Sequence, residues 1–292
     1  MKVLILTDSD LDGSGSALVL KWLYSSRDAN IRVIELVGQD YSGIIQGISK
    51  EFEFYDMVYI TDSYIADDAV QYVDKENVVI IDHHADHINV KDRYKTAKVI
   101  MKNYPSCCKL IYDIFKEKLP AGVITPEREQ LINLINDYDS YALEYKDTLK
   151  LHAIFNSLNR PKVNNLIDRF YDGTREWTIE EKNMISLHFK KIKHEMETRD
   201  IFTGKIKDYR VISYVADYGI NEVAHFMLKK HNADIVIILM LPSFVSFRRS
   251  VGCDAKLNNL ASGLCEGGGH EYAAGGKITD QFLQLTKTFK PL

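Results

Sequence analysis

Three aspartates stand at alternate positions directly after the first apolar stretch of the chain. In "LTDSDLDGSGSA" they are Asp8, Asp10 and Asp12, and a predicted helix follows. A turn at the tip of a strand would hold three carboxylates within a few ångströms, where they repel one another unless a cation binds. The alternative is an acidic turn in which Asp12 and Gly13 begin the helix. The pattern alone leaves both interpretations open.

Two more apolar runs end in acids or imidazoles. "VVIIDHHADH" leads into Asp82, His83 and His84, and "DMVYITDS" leads into Asp62. Such runs are typical of central strands in a parallel sheet, which binds its ligands at the carboxyl edge. Carboxylates with neutral imidazoles suit Mn²⁺, Fe²⁺ or Co²⁺, and suit Mg²⁺ less well. Because the donors exceed what one ion needs, we predict a two-metal centre.

A predicted helix offers one further ligand. Asp137 and Asp139 interrupt the apolar pattern of "LINLINDYDSYAL". A solvated helix end explains at least one of them. We expect the other to face the metals, and Asp139 is preferred.

The elements that carry these residues alternate between strand and helix. Strand patterns at 3–6, 31–37, 57–60 and 78–81 are separated by helical patterns at 13–24 and 67–73. This alternation predicts a parallel sheet covered by helices. Helical patterns alone follow from about 106 to 200, and β patterns then resume. The predicted fold class is α/β: a parallel-sheet domain is joined through a helical region to a smaller α/β domain with a mixed sheet. The predicted limits are 1–190 for the catalytic domain, 180–205 for a connecting helix and 205–292 for a substrate-binding domain.

Composition narrows the class of protein. The 292 residues carry a net charge of -4, which argues against sequence-blind coating of nucleic acid. No apolar run approaches the roughly 20 residues that span a bilayer, so no membrane partner is expected. The start has no secretory pattern, and the four cysteines form no CxxC pair. We therefore expect a cytoplasmic protein.

A glycine-rich motif near the end indicates phosphate binding. In "EGGGHEYAAGG" the amides of Gly267, Gly268 and Gly269 could approach a phosphate at a helix start, with His270 as a further donor. A tight strand-to-helix turn would explain the glycines equally well. "VSFRRS" adds Arg248 and Arg249, of which only one can face the cleft. Arg249 stays open because it lies next to Ser250.

We expect the remaining histidines to have no part in the chemistry of the site. We expect His225 to pack within a helix and His87 to lie in the loop after the paired histidines. The others sit in charged, helical surroundings and are expected at the surface: His152, His188, His194 and His231.

Four motifs in this order resemble the DHH phosphoesterase superfamily with its associated C-terminal domain. They are "DSDLDG", the strand-end Asp62, "DHH" and "GGGHEYAAGG", and the resemblance spans about 1–278. The superfamily includes RecJ exonucleases, nano-RNases, phosphatases of adenosine bisphosphate and cyclic dinucleotide phosphodiesterases. Its "VSFR" pattern favours Arg248 as the arginine that clamps a phosphate.

The resemblance implies a role for each candidate. Asp10 and Asp12 would each hold one of two Mn²⁺ ions, and Asp62 would bridge them. One of His83 and His84 would ligate a metal, and the other would hold a substrate oxygen. Asp82 would orient an imidazole, and Asp139 or Asp137 would complete the coordination shell of the first metal. Nano-RNases carry histidine where this chain has Asp8, whereas RecJ-like members carry aspartate.

These implications predict a manganese-dependent exonuclease that hydrolyses short RNA or DNA oligonucleotides to mononucleotides. Mg²⁺ or Co²⁺ could replace Mn²⁺. Alternatives on the same scaffold are a RecJ-like exonuclease for single-stranded DNA and a phosphohydrolase of adenosine bisphosphate or cyclic dinucleotides. The glycine motif argues against a class II pyrophosphatase. A non-enzymatic nucleotide-binding module with an inactive centre is the alternative outside enzymes. An exposed edge in the second sheet could support a homodimer.

Overall fold

The chain folds into two compact units, Met1–Glu181 and Lys182–Leu292. The structure is a computed structural model that describes residues 1–38, 41–216, 218–240 and 242–292. One unit contains a parallel sheet and the other a mixed sheet, so the predicted α/β fold class is confirmed. The predicted domain limits stay a prediction. The described helices include none whose length and apolarity would let it cross a bilayer.

The N-terminal unit is built on five parallel strands in the order β2-β1-β3-β4-β5. The strands are β1 (Lys2–Asp8), β2 (Asn30–Leu36), β3 (Met57–Thr61), β4 (Val78–Asp82) and β5 (Lys98–Met101). Strand β4 is buried along its whole length, which explains its unbroken apolar sequence. The central strands β1, β3 and β4 therefore end side by side at one edge.

Helices cover this sheet. They are α1 (Leu11–Leu23), α2 (Tyr41–Ser49), α3 (Val70–Val73), α4 (Cys107–Phe115), α5 (Pro126–Asp139), α6 (Thr148–Ser157) and α7 (Lys162–Phe170). Helix α1 is buried almost all round because it contacts β1 together with α4, α5 and α7. On the opposite face Leu4, Leu6, Ile60 and Ile80 pack with Phe52 in the core. Sequence patterns missed α2 and β5, and they overestimated the length of α3.

The C-terminal unit is built on seven strands in the order β10-β11-β9-β8-β7-β6-β12. They are β6 (Ile201–Ile206), β7 (Tyr209–Val215), β8 (Ile235–Met240), β9 (Phe244–Arg249), β10 (Glu266–Gly269), β11 (Ala273–Lys277) and β12 (Lys290–Pro291). Only β7 and β8 pair in parallel, since the other described pairs are antiparallel. The edges of this sheet are β10 and β12, and the suggested homodimer through such an edge has no support from the structure.

The remaining helices are α8 (Ile179–Thr198), α9 (Ile220–His231), α10 (Leu257–Leu264) and α11 (Asp280–Thr286). The core of the unit joins Ile235, Ile237, Val245 and Phe247 to residues of α10 and to Phe282 of α11. The β patterns that resume after residue 200, at 209–216 and 233–250, contain β7, β8 and β9. Strands β6, β10, β11 and β12 were missed because glycine or charged residues break their patterns.

Candidate functional site

The three central strands of the parallel sheet each deliver an aspartate to the same edge. Strand β1 ends at Asp8 and β4 ends at Asp82, while Asp62 directly follows β3. Asp62 has a left-handed backbone with φ of 55°, which aspartate tolerates better than most residues. Its N–H donates to the carbonyl of Ile81 at 3.0 Å, so the neighbouring strand fixes this conformation. The side chain is only 3% exposed and lies at the sheet edge.

His83 lies at the centre of a group of carboxylates. Its Nε2 is 3.6 Å from Oδ2 of Asp12, 3.4 Å from Oδ1 of Asp62 and 3.5 Å from Oδ2 of Asp139. Its Nδ1 lies 3.0 Å from the carbonyl of Tyr104, which can only accept, so Nδ1 carries a proton. In a neutral ring Nε2 would then present a lone pair to three carboxylate oxygens. This arrangement requires an imidazolium, a protonated carboxyl group or a cation among the four atoms.

The pKa values of these side chains also indicate that the carboxylates need a positive charge beside them. Burial and repulsion from neighbouring aspartates raise the pKa of Asp62 well above its usual range, and burial with the charge of Asp12 does the same for Asp139. Burial alone would lower the pKa of His83, but the hydrogen bond to Asp62 and the surrounding carboxylates raise it to about 11. The carboxylates are therefore crowded beyond what the protein itself neutralises.

The donor set fits a divalent cation. Ligand atoms about 2.1 Å from one ion lie about 3.0–3.4 Å apart, close to the separations around His83 Nε2. Within the described residues Oδ2 of Asp139 is buried and accepts no hydrogen bond, so it has a free lone pair. Asp12, His83 and Asp139 offer ligand atoms that all lie within 4.8 Å of one another. Oxygen and imidazole donors in this proportion suit Mn²⁺ or Fe²⁺ better than Mg²⁺.

The N-terminus of α4 holds the carboxylate of Asp12. The N–H groups of Cys107 and Cys108 donate to its two oxygens at 2.6 and 2.9 Å. Ser106 caps the helix by accepting from the N–H of Lys109. A helix N-terminus stabilises a negative charge, and the two bonds fix the orientation of the carboxylate. No sequence pattern indicated that the adjacent cysteines act through their backbone.

Asp8 and Asp10 lie on the turn between β1 and α1. Oδ1 of Asp8 accepts from the hydroxyl of Tyr41 at 2.6 Å, and burial raises the pKa of this carboxyl. Asp10 is the N-cap of α1 and accepts from the N–H of Gly13 at 2.8 Å. A Cβ at Gly13 would lie 2.3 Å from the carbonyl oxygen of Asp8, so only glycine permits this tight turn. The helix therefore begins at Leu11 with Asp10 as its cap, rather than at Asp12 and Gly13, and a cation bound at this turn stays a prediction.

Asp82 is buried, and its carboxylate orients His84 and His87, the next two histidines of the chain. Its Oδ1 accepts from Nδ1 of His84 and from the N–H of His83, each at 2.8 Å. Its Oδ2 accepts from Nδ1 of His87, which we did not predict. Burial opposes ionisation, but the bonds to His84 and His87 dominate and lower the pKa of Asp82. His87 packs against the ring of Tyr64 at a centroid distance of 4.9 Å.

The structure distinguishes the two acids of α5. Asp137 accepts from the N–H groups of Glu144 and Tyr145 at 2.9 and 3.1 Å and from the hydroxyl of Thr148 at 2.5 Å. Its carboxylate thus stabilises the turn between α5 and α6. Asp139, rather than Asp137, lies beside His83.

The glycine motif of the C-terminal unit forms an edge strand, so our expectation of a helix start is wrong. Gly267, Gly268 and Gly269 belong to β10 and pair with β11. A Cβ at Gly267 would lie 2.0 Å from the carbonyl oxygen of Gly275, which explains why glycines face one another here. His270 lies in the turn that joins the two strands, where its ring stacks on Tyr272 at a centroid distance of 5.3 Å.

These strands line a cavity of about 440 Å³. Arg248 lines it, and its guanidinium donates to Oδ1 of Asn221 at 2.8 Å and to Oγ of Ser246 at 2.7 Å. Arg249 instead donates to the carbonyls of Cys253 and Ala255 and holds the turn after β9. Ser250 donates its N–H to the carbonyl of Asp234 and is not among the lining residues.

Two histidine assignments are wrong: His87 lies in a 3₁₀ helix (Ala85–Arg93) rather than in a loop, and His188 is not at the surface. His188 is 2% exposed rather than superficial, because α8 packs against α9. Its Nδ1 lies 2.7 Å from the hydroxyl of Tyr218, and its Nε2 lies 3.2 Å from Oε1 of the buried Glu222. His194 is exposed as expected, and His225 lies against Phe226 within α9.

Comparisons with known proteins agree with this fold. The model of the DHH family, N-terminal domain, matches residues 2–138. Among the curated proteins, none matches the sequence significantly. Residues 2–138, which form most of the N-terminal unit, are thus similar to the N-terminal domain of the DHH family.

Solved structures share the fold over nearly the whole chain. A pGpG-specific phosphodiesterase from Vibrio cholerae is 14% identical with a TM-score of 0.55, over 98% of this chain and 96% of that one. An exopolyphosphatase-related protein from Bacteroides fragilis is 18% identical with a TM-score of 0.56, over 98% and 89%. RecJ from Thermus thermophilus, in complex with Mn²⁺, is 13% identical with a TM-score of 0.56, over 98% of this chain and 51% of RecJ.

Proposed function

We propose that the protein is a metal-dependent phosphodiesterase that hydrolyses short oligonucleotides to mononucleotides. The observation that carries the proposal is the approach of three carboxylate oxygens to Nε2 of His83 at 3.4–3.6 Å. Two cations held there would activate a water molecule and neutralise the charge that develops on the phosphoryl group. We propose Mn²⁺ as the metal, because the ligands combine imidazole with carboxylates.

The residues of the carboxylate and histidine group would have different roles. Asp10, Asp12, Asp62, His83 and Asp139 would hold the cations, with Asp8 as a further ligand on the same turn. Asp82 accepts a hydrogen bond from Nδ1 of His84, so Nε2 of His84 would be left to accept a hydrogen bond in the neutral ring. In the imidazolium form the same atom would donate to a phosphoryl oxygen.

The C-terminal unit supports a short substrate. Its glycine-lined cavity of about 440 Å³ falls within the range of about 300–1,000 Å³ that suits a small ligand. Arg248 would bind a phosphate of the substrate, and the backbone of Gly267, Gly268 and Gly269 would contact the nucleotide. The pGpG-specific phosphodiesterase of the same fold acts on a dinucleotide, which supports substrates of this length.

A substrate panel tests the proposal. Purified protein with Mn²⁺ would be incubated with end-labelled RNA and DNA of two to about twenty nucleotides. Cyclic di-AMP, adenosine bisphosphate and pyrophosphate would be assayed in parallel. We expect the two- to five-mers to be cleaved fastest, and Asp62→Asn to abolish turnover of every substrate. Preference for the twenty-mers would favour a RecJ-like exonuclease, and turnover of small nucleotides alone would exclude oligonucleotides as substrates.

A further inference from the structure

A second cavity lies at the other edge of the sheet in the C-terminal unit. Its volume is about 390 Å³, within the range of about 300–1,000 Å³ that small-molecule sites occupy. Its polar lining residues are Thr203, Lys205, Arg210, His231, Thr288 and Lys290. The glycine-lined cavity shares none of them. We name this second space the basic cavity.

Strand register places three cations on one face of the sheet. Lys205 of β6 stands opposite Arg210 of β7, and Thr203 stands opposite Lys290 of β12. Opposed residues of paired strands point to the same face, and so do alternate residues along one strand. Lys205, Arg210 and Lys290 therefore project from three adjacent strands into the same space.

The positive charge there is only partly compensated. Arg210 pairs with Asp234, whose Oδ2 lies 3.4 Å from Nε. In the described part of the chain, neither Lys205 nor Lys290 forms an ion pair. Like charges on neighbouring strands repel, so an anion between these lysines would lower the energy of the face.

A half-buried imidazole, that of His231, also lies at this cavity. Nε2 of His231 is shielded from solvent and has no hydrogen-bond partner among the described residues, although His231 lines the basic cavity. Native structures leave few buried polar atoms unsatisfied, so such an atom calls for a partner. An anionic oxygen would satisfy it, since Nε2 can carry a proton.

We propose that the basic cavity binds a phosphorylated small molecule of the size of a nucleoside monophosphate. Lys205, Lys290 and His231 hold the phosphate, because ammonium and imidazole donors suit its oxygens. Ile212 and Ala233, which also line the cavity, provide an apolar wall for the rest of the molecule. This site is independent of the metal centre and of the proposed hydrolysis.

The test isolates this cavity from the other two sites. Full-length protein would carry Arg248→Ser, to weaken the glycine-lined cavity, and would be kept in excess EDTA to remove metals. Adenosine monophosphate, inorganic phosphate and adenosine would be titrated by calorimetry at 0.15 M salt. The C2 proton of His231, assigned through His231→Gln, would be followed by NMR. We expect saturable binding of the monophosphate, weaker binding of phosphate, no binding of adenosine, and a shift of the His231 signal.

Two double variants decide the outcome. In Lys205→Gln/Lys290→Gln we expect the monophosphate to bind at least tenfold more weakly. The control Lys207→Gln/Lys287→Gln removes the same charge from exposed positions outside the cavity and should bind normally. Unchanged affinity in the first double variant, equal binding of adenosine, or no saturable binding would each overturn the proposal. Thermal unfolding curves of both variants would verify that they fold.

Discussion

Nε2 of His83 lies 3.5 Å from Oδ2 of Asp139, a buried oxygen that accepts no hydrogen bond from the described residues. This contact is longer than a strong charge-assisted hydrogen bond of about 2.7–2.9 Å. It is close to the separation of two ligands on one cation. Asp139 is thus held where its negative charge destabilises the metal-free protein and would bind a cation.

Replacement of Asp139 by asparagine should separate these two effects. Without metal, Asp139→Asn should unfold at the same temperature as the parent or higher, because it removes a carboxylate whose pKa burial raises well above its usual range. With Mn²⁺ the parent should gain about 2.7–4.1 kcal/mol of stability at 100–1,000 times the dissociation constant, whereas the variant should gain much less. Its turnover should fall at least 100-fold.

Calorimetric scans with EDTA and with Mn²⁺ would measure both effects. Asp168→Asn is the matched control, because Asp168 is exposed on α7 and lies outside the carboxylate group. An equal metal-induced shift in Asp139→Asn and in the parent would remove Asp139 from the proposed ligands.

His87 should act by positioning Asp82 and, through it, His84. Asp82 accepts from both imidazoles, and loss of such an orienting bond typically costs about 10–100-fold in activity. We therefore expect His87→Ala to lower kcat about 10-fold or more while KM changes little. His194→Ala, at an exposed histidine of α8, should leave both parameters unchanged.

A conservative variant distinguishes positioning from mere stability. His87→Gln keeps a side-chain donor and should recover part of the activity, and its melting temperature should match that of His87→Ala. If both variants keep full turnover, the bond to Asp82 has no part in the reaction.

The edge that gathers the aspartates and His83 could be predicted because its signals are local. Asp62, Asp82 and His83 each follow an apolar run of β-branched residues, and parallel strands bring such ends together. The choice between Asp137 and Asp139 needed the structure, because the hydroxyl of Thr148 and two backbone amides bind Asp137. No pattern within α5 encodes those partners.

Other features depend on contacts distant in sequence. His188 has charged neighbours along α8, yet α9 buries it beside Tyr218 and Glu222. The glycines of β10 have no side-chain period, so a helix start was expected where the structure has a strand. The N–H groups of Cys107 and Cys108 contact Asp12 across 95 and 96 positions of the chain.

Arg248 and Arg249 should differ in their kinetic effects. Arg248 lines the glycine-lined cavity, so Arg248→Ser should raise KM for oligonucleotides about 10-fold or more while kcat changes less. Arg249 donates to the carbonyls of Cys253 and Ala255, so Arg249→Ser should lower stability by about 1–3 kcal/mol. Steady-state kinetics and urea unfolding of both variants would test this difference, which equal effects on KM would contradict.

Glu181 should make the N-terminal unit sensitive to acid. Its side chain is 0% exposed and pairs with Arg169 and Arg175. Burial opposes its charge, but the bonds from Arg175 and from the N–H of Thr178 prevail and lower its pKa from 4.5 to about 2. Because the folded state holds the proton less tightly than the unfolded state, the carboxylate contributes stability above about pH 4.5. That stability is lost as the pH falls towards 2.

Substitution of Glu181 by glutamine should therefore remove this dependence. At pH 7 we expect Glu181→Gln to lower the free energy of unfolding by about 2–3 kcal/mol, and the gap to the parent should shrink as the pH falls below 4.5. Glu180→Gln is the matched control, because Glu180 is 64% exposed and contacts Arg169 only at 3.4 Å. Urea unfolding from pH 7 to pH 3 would measure the gap. A gap of constant size across this range would mean that the Glu181 charge does not stabilise the fold.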